Sequence, residues 1–275
     1  VSARLTSNAY GKAAIRLVKL VREESRHRIH DCTVQVRLEG RFESAHTEGI
    51  NTDVLPTDTM KNTVFALARD ATLDEPERFA HMVGRHFLDT AAAADRVTVE
   101  LLLHRWDRAG PHGFTRGPDE VRIASVAATR EGVEIEAGLA GLGLLKTAGS
   151  GFEGFPRDRF TTLRETDDRI FATDLSARWR YAAFPSSCDA AWDQVRSALI
   201  ESFTAHESRS VQHTLYAMGE AALAACPELL EIDLTMPNRH HLLVDLTPFG
   251  LENRQEIFVA TTEPHGLIRG TVART

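Results

Sequence analysis

Cysteine is scarce in this chain: three among 275 residues, Cys32, Cys188 and Cys226, widely spaced and odd in number. That excludes a disulfide framework and a CxxC metal knuckle, and it suits a reducing compartment. No apolar run approaches the roughly 20 residues of a membrane-spanning helix. The first residues, VSARLTSNAYGK, lack the apolar stretch of a secretory signal. Net positive charge is missing too. A formal charge of −7 argues against the basic face that nucleic acid or an anionic membrane surface requires. A Walker A loop, GxSxG and CxxCH are absent, so nucleoside-triphosphate, hydrolase and haem readings lose their usual support. What is present, 43% hydrophobic and 26% charged residues, is the composition of a soluble globular protein with a sizeable core.

Period-two patterning marks the strands. Cys32, Val34, Val36 and Leu38 alternate with Thr33, Gln35 and Arg37, and Val97, Val99, Leu101 and Leu103 alternate with Thr98, Glu100 and Leu102. Val121 and Ile123, then Val133, Ile135 and Ala137, predict two strands joined by a turn at Arg130–Gly132. Leu242 to Leu246, Ile257 to Ala260 and Gly266 to Val272 read as further strands. Helical periodicity covers Asn62 to Ala68 and Pro76 to Leu88, the latter with an apolar stripe of Phe79, Met82, Val83 and Phe87. A second helical pair, Asp189 to Phe203 and Val211 to Ala225, sets Trp192, Val195, Leu199 and Phe203 on one face.

The two halves look related. NTVFALA at Asn62–Ala68 can be laid on HTLYAMG at His213–Gly219, and hairpin-like strands flank each helical pair. A duplicated strand–strand–helix–helix–strand–strand unit follows, an α+β chain with antiparallel sheets and helices on one face. Chance similarity over seven residues is the competing explanation. The halves would be residues 1–140 and 141–275. Open sheet edges then predict an oligomer whose sheets close into a barrel.

Four polar clusters bear on chemistry. Lys12 follows Gly11 at the start of a strand, where a solvated lysine is the plainer reading. Thr57, Asp58 and Thr59 are each plausible N-caps, and free backbone N–H groups there also suit an anionic oxygen. The segment Leu142–Arg169 holds Phe152, Phe155 and Phe160 among Gly149, Gly151, Gly154 and Pro156, so the backbone turns rather than running regular. An aromatic ring on a turn with Arg169 downstream suits a planar anion, although a surface loop with one buried Phe explains the same letters. Last, Gln212 opens a helix, and Asn238 and His240 sit in MPNRHHLLVDL. His240 and His241, adjacent on a strand, would point to opposite faces and could not chelate together. His27, His30 and Cys32 in HRIHDC form the better metal candidate, with loose spacing.

Taken together, the clusters resemble urate oxidase (uricase). The resemblance is carried by YGK at Tyr10–Lys12, TDTMKNTVFA at Thr57–Ala66, LKTAGSGFEGFPRDRFTTLRETDDRI at Leu145–Ile170, TDLSARWRY at Thr173–Tyr181, SVQHTLYAM at Ser210–Met218 and PNRHHLLVDL at Pro237–Leu246. It is collinear over almost the whole chain. Ala148 departs from it, standing where the family usually has Ser or Thr, and the chain stops soon after GLIRGTV without a peroxisomal tripeptide.

The resemblance implies a tandem tunnelling fold, a homotetramer around a barrel-like tunnel, and active sites at subunit interfaces. It implies urate and dioxygen as substrates, no cofactor and no metal; the scarce cysteines and the missing signal and membrane segments make a cytoplasmic location the default expectation. By resemblance, Phe152 stacks on the purine, Arg169 and Gln212 pinch its edge, and Thr57 and Asp58 meet the opposite edge. Leu163 and Val211 line the pocket; Lys12, Thr57 and His240 relay protons; Asn238 holds water or oxygen above the ring. Two other readings stand beside it. A metal-dependent tunnelling-fold pterin enzyme would need a convergent His/Cys set, and a catalytically silent purine-binding protein would have no need of Lys12 beside Thr57.

Overall fold

The computed structural model describes residues 2–275, which fall into two compact units. The first takes in residues 2–138 and Trp179–Trp192; the second takes in Leu139–Arg178 and Asp193–Thr275.

In the first unit, β1 (Tyr10–Arg22), β2 (His27–Gly40), β3 (Ala94–Arg108) and β4 (Phe114–Thr129) are neighbours in that order, every pairing antiparallel. The short helix α1 (Glu43–Thr47) and helices α2 (Thr57–Asp70) and α3 (Pro76–Thr90) lie between β2 and β3 in the chain. The predicted alternation in β2 is realised: Cys32, Val34, Val36 and Leu38 are buried beneath the helices. From the helix side, Met60, Val64 and Ala68 of α2 and Phe79, Val83 and Phe87 of α3 close the core. The opposite face of the strands is polar. There Asp31 accepts from Trp106 Nε1 at 2.9 Å and pairs with Arg16, while Thr33 Oγ1 meets His104 Nε2 at 2.9 Å.

Met82 does not belong to the stripe assigned to it. It is 45% exposed, because the buried arc of α3 also contains Ala80 and Gly84 and swings away from Met82. Such small residues carry little hydrophobic signal, yet they let a helix approach a sheet closely; a methyl on Gly84 would touch Ala128 Cβ at 3.5 Å. A buried ion pair anchors the returning segment within this unit: Arg122 donates to Glu77 at 3.1 Å and to Asp189 at 2.5 Å.

β5 (Val133–Lys146) follows β4 through the expected turn, where Thr129 N donates to Gly132 O at 2.9 Å. In the second unit the Phe171–Arg178 part of β6 (Phe171–Tyr181), β7 (Leu229–Asn238) and β10 (Gly266–Ala273) are successive neighbours. Helix α4 runs Cys188–Ala205, and α5 (Val211–Ala225) packs on β7 and β10. The α4 stripe of Trp192, Val195, Leu199 and Phe203 is buried as predicted. The strand expected over Leu242–Leu246 is shorter: β8 is His241–Leu243, paired with β9 (Phe258–Ala260). Asp245 ends it by accepting from Thr247 N at 2.9 Å and Thr247 Oγ1 at 2.7 Å, which starts a 3-10 turn at Thr247–Phe249.

Candidate active site

The first unit gathers Lys12, Thr57 and Asp58. Lys12 lies on β1 opposite Val36, immediately before a bulge, and Ala14 in that bulge has φ 55, a left-handed conformation rare for a residue with a side chain. Bulges re-aim side chains near active sites. Gly11 lets the two strands meet here: a Cβ on it would stand 1.9 Å from the Val36 carbonyl oxygen. Gly11→Ala is therefore expected to pry β1 from β2 and cost about 2–3 kcal/mol, read as a lowered urea midpoint. An unchanged midpoint would contradict the close approach.

Next door, the Tyr10 hydroxyl accepts from Leu55 N at 2.9 Å, and its ring meets Phe42 edge-on at 4.8 Å between centroids. This bond fastens β1 to the segment that leads into α2. The helix begins at Thr57, with Pro56 in the cap position and no side chain bonded to its first N–H groups. Thr57, Asp58 and Thr59 are thus not caps, as their residue types suggested. They sit inside the first turn, whose amides stay available to an acceptor. The Asp58 carboxylate accepts from Lys61 Nζ at 2.5 Å and from Asn62 Nδ2 at 2.9 Å. Lys61 chiefly holds its carboxyl below the usual range, with Asn62 and the nearby Lys12 charge adding to the effect. Thr57 is half-buried and Asp58 exposed.

The second unit gathers Phe152 and Arg169. Phe152 pairs with Thr166 through two backbone bonds, Phe152 N to Thr166 O at 2.7 Å and Thr166 N to Phe152 O at 3.2 Å. Phe155 stacks on Phe152 at 4.9 Å and 11°, whereas Phe160 is 73% exposed. The Arg169 guanidinium sits 5.4 Å from the Phe152 ring centre. Burial alone pulls Arg169 below its ordinary value, and among the described residues no carboxylate offsets it. A half-buried guanidinium without an acid is a ready seat for a planar anion.

The loop is tied to the entrance of α5. Gly151 N donates to Ser208 O at 2.8 Å, and Ser208 N donates to Gly149 O at 2.9 Å. Ser210 then caps α5 by accepting from His213 N at 3.1 Å, which delivers Val211, buried, and Gln212, exposed, at the first turn. Gly151 has no room for a side chain, since Asp167 O would lie 2.9 Å from its Cβ. Gly149 and Gly154 both take φ +70. The letters of GSGFEG fit a GxGxxG dinucleotide fingerprint, but no helix follows until Cys188, so the strand–turn–helix context of that motif is missing. Ala148 is exposed, and the anchoring bonds are made by Gly149, Gly151 and Ser208.

Asn238 closes β7 opposite Gly266. His240 precedes β8 rather than sharing a strand with His241, and its carbonyl accepts from Thr261 N at 2.9 Å. His241, which sequence reasoning set aside, lines a cleft of about 540 Å³ together with Arg169, Asp168 and Phe258. Nothing in a His-His doublet signals which ring faces a cleft. Leu163 is 51% exposed. The metal candidate disperses: His27 packs on His112 at 4.3 Å, His30 Nε2 faces Asp74 at 3.5 Å, and Cys32 is buried in the core. Among the described residues no three His, Cys, Asp or Glu side chains converge as metal ligands would.

Antiparallel strands with paired helices laid on them, arranged as here, define a tunnelling-fold protein of the α+β class. A uricase family model matches residues 8–127 and 135–269. The uricase of Arthrobacter globiformis is 45% identical over 274 residues, covering 98% of this chain and 90% of that one. Uricase of Danio rerio is 36% identical, covering 96% and 93%. The crystal structure of the Arthrobacter globiformis uricase superimposes with a TM-score of 0.96 at 44% identity, over 100% of this chain and 96% of that one. The chain belongs to the uricase family.

Proposed function

We propose that this chain oxidises urate with dioxygen and water, giving 5-hydroxyisourate and hydrogen peroxide in purine degradation, without metal or organic cofactor. The observation that carries the reading is the guanidinium of Arg169, half-buried, with no carboxylate paired to it among the described residues and 5.4 Å from the Phe152 ring, in a chain of this family. Ground-state dioxygen is a triplet and reacts slowly with closed-shell molecules, so the substrate must become an electron-rich anion able to give up one electron. Arg169 favours that anion through a charge-assisted fork, Gln212 holds the same edge, and Phe152 stacks on the ring. Thr57 and Asp58 meet the opposite edge, and Val211 and Leu163 line the pocket. Lys12, Thr57 and His240 pass protons. Asn238 holds dioxygen, and then water, over the ring at close range. The substrate does the redox work; the protein deprotonates, orients and shields.

On the same reading the two halves, residues 1–140 and 141–275, are duplicated tunnelling units. Four copies close a barrel-like tunnel, and each site is assembled from more than one chain. The test is loss of urate ultraviolet absorbance followed together with oxygen uptake in buffer containing a chelator. Coupled consumption with peroxide release is the expected result. Binding without turnover would leave a silent purine binder, and neither would remove the proposal.

A further inference from the structure

We propose that Lys19 is a positioning residue for this reaction, setting the axial placement of helix α2 and through it the approach of Thr57 to Lys12. The inference rests on the reading of Lys12 and Thr57 as relay partners.

Lys19 Nζ donates to three backbone carbonyls: Ala68 O at 2.8 Å, Arg69 O at 2.9 Å and Ala71 O at 2.5 Å. Three donors are all an ammonium has. The acceptors lie in and just beyond the last turn of α2, where helix carbonyls lack partners along the chain and a cation is favoured. Lys19 itself is fixed, since it pairs with His30 within the regular β1–β2 ladder.

The lengths agree with this arrangement. The fourteen residues of α2 span roughly 20 Å at ~1.5 Å per residue. From Lys12 to Lys19 the strand covers roughly 23 Å at ~3.3 Å per residue. β1 and α2 therefore run side by side, with the relay pair at one end and the Lys19 clamp at the other.

The clamp matters because little else fixes α2 along its axis. Its buried contacts, Met60, Val64 and Ala68, are apolar, and hydrophobic contact is non-directional. At the N-terminus no side chain caps the helix; the bond from Leu55 N to Tyr10 Oη holds only the approach segment. Among the described residues, the side-chain bonds from β1 to the body of the helix are those of Lys19. Without them α2 can slide along its apolar bed, and a misplacement of about 1 Å suffices to slow a proton transfer severely.

The test compares the parent with Lys19→Met, Lys12→Met, the double variant and Lys19→Arg, each checked for cooperative urea unfolding. Lys19→Met is expected to lower kcat about tenfold, with a smaller rise in KM for urate because Thr57 and Asp58 move with the helix. Lys19→Arg keeps the charge and several donors and should recover most of the loss. The double variant should have a kcat close to that of Lys12→Met alone, because the shift lowers turnover through the relay. An unaltered kcat in folded Lys19→Met overturns the proposal. So does a double variant slower than Lys12→Met by the full factor, the mark of a general structural role. An unaltered kcat in Lys12→Met is a different result and removes the relay reading beneath it. If Lys19→Met does not fold, Lys19→Gln, with two donors and no charge, carries the same comparison.

Discussion

Lys12→Met is expected to leave urate binding largely in place and to lower turnover about 10²- to 10⁴-fold, the range by which a positioned acid or base accelerates a step. The first unit supplies the reason. Lys12 stands at a bulge, after a glycine that could hold no side chain, and its charge reaches Asp58 at the start of α2. A strained backbone is maintained only where the surroundings over-determine it, and Ala14 is such a residue. Methionine matches the lysine stem in length and apolar character but carries no proton and no charge. Equilibrium titration with urate under nitrogen measures binding, and steady-state oxygen uptake measures turnover. A variant that keeps its turnover would show that Lys12 is only a solvated strand residue, as its residue type alone suggests. One that loses binding in proportion would move Lys12 from the relay to the substrate contacts.

Elements were legible in the sequence where a large apolar residue stood at every second or every third-to-fourth position. β2 and the α4 stripe are of that kind, and their residues are buried. β6 was not legible, because its inward positions include Thr173 and Ala177 beside Phe171, Leu175 and Trp179. There the strand neighbours decide burial, not side-chain hydropathy. β7 meets the legibility rule although the sequence reading omits it: Ile232, Leu234 and Met236 are buried and alternate with Glu231, Asp233 and Thr235. At the candidate site, the turn around Phe152 and the downstream Arg169 could be read from glycines and residue types. Their 5.4 Å approach could not, since it depends on the Phe152–Thr166 bridge. The tie of Gly151 to Ser208 is likewise a long-range backbone contact that no residue type announces. Residue type also misled at Thr57, Asp58 and Thr59. Good capping residues stand there, yet Pro56 takes the cap position and leaves them in the first turn.

Arg169→Ala should weaken urate binding about 10- to 150-fold, the equivalent of the 1.5–3 kcal/mol carried by a hydrogen bond to a charged group. The effect is expected at the upper end, because in the second unit the guanidinium is half-buried, faces the Phe152 ring and has no carboxylate among the described residues to compensate it. Its desolvation is left unbalanced until an anion arrives, so an anion gains more there than at an exposed arginine. Arg169→Lys separates charge from shape. It keeps a cation but loses the planar fork, and it should recover only part of the affinity. Because burial already opposes the charged form at this position, the lysine would also be the easier of the two to deprotonate. Its urate affinity should therefore fall as pH rises through the lysine's own titration, while the parent's stays level over the same interval. Titrations under nitrogen at several pH values measure all three proteins. If Arg169→Ala binds urate as the parent does, Arg169 is a structural partner of Phe152, and the anion must be held elsewhere.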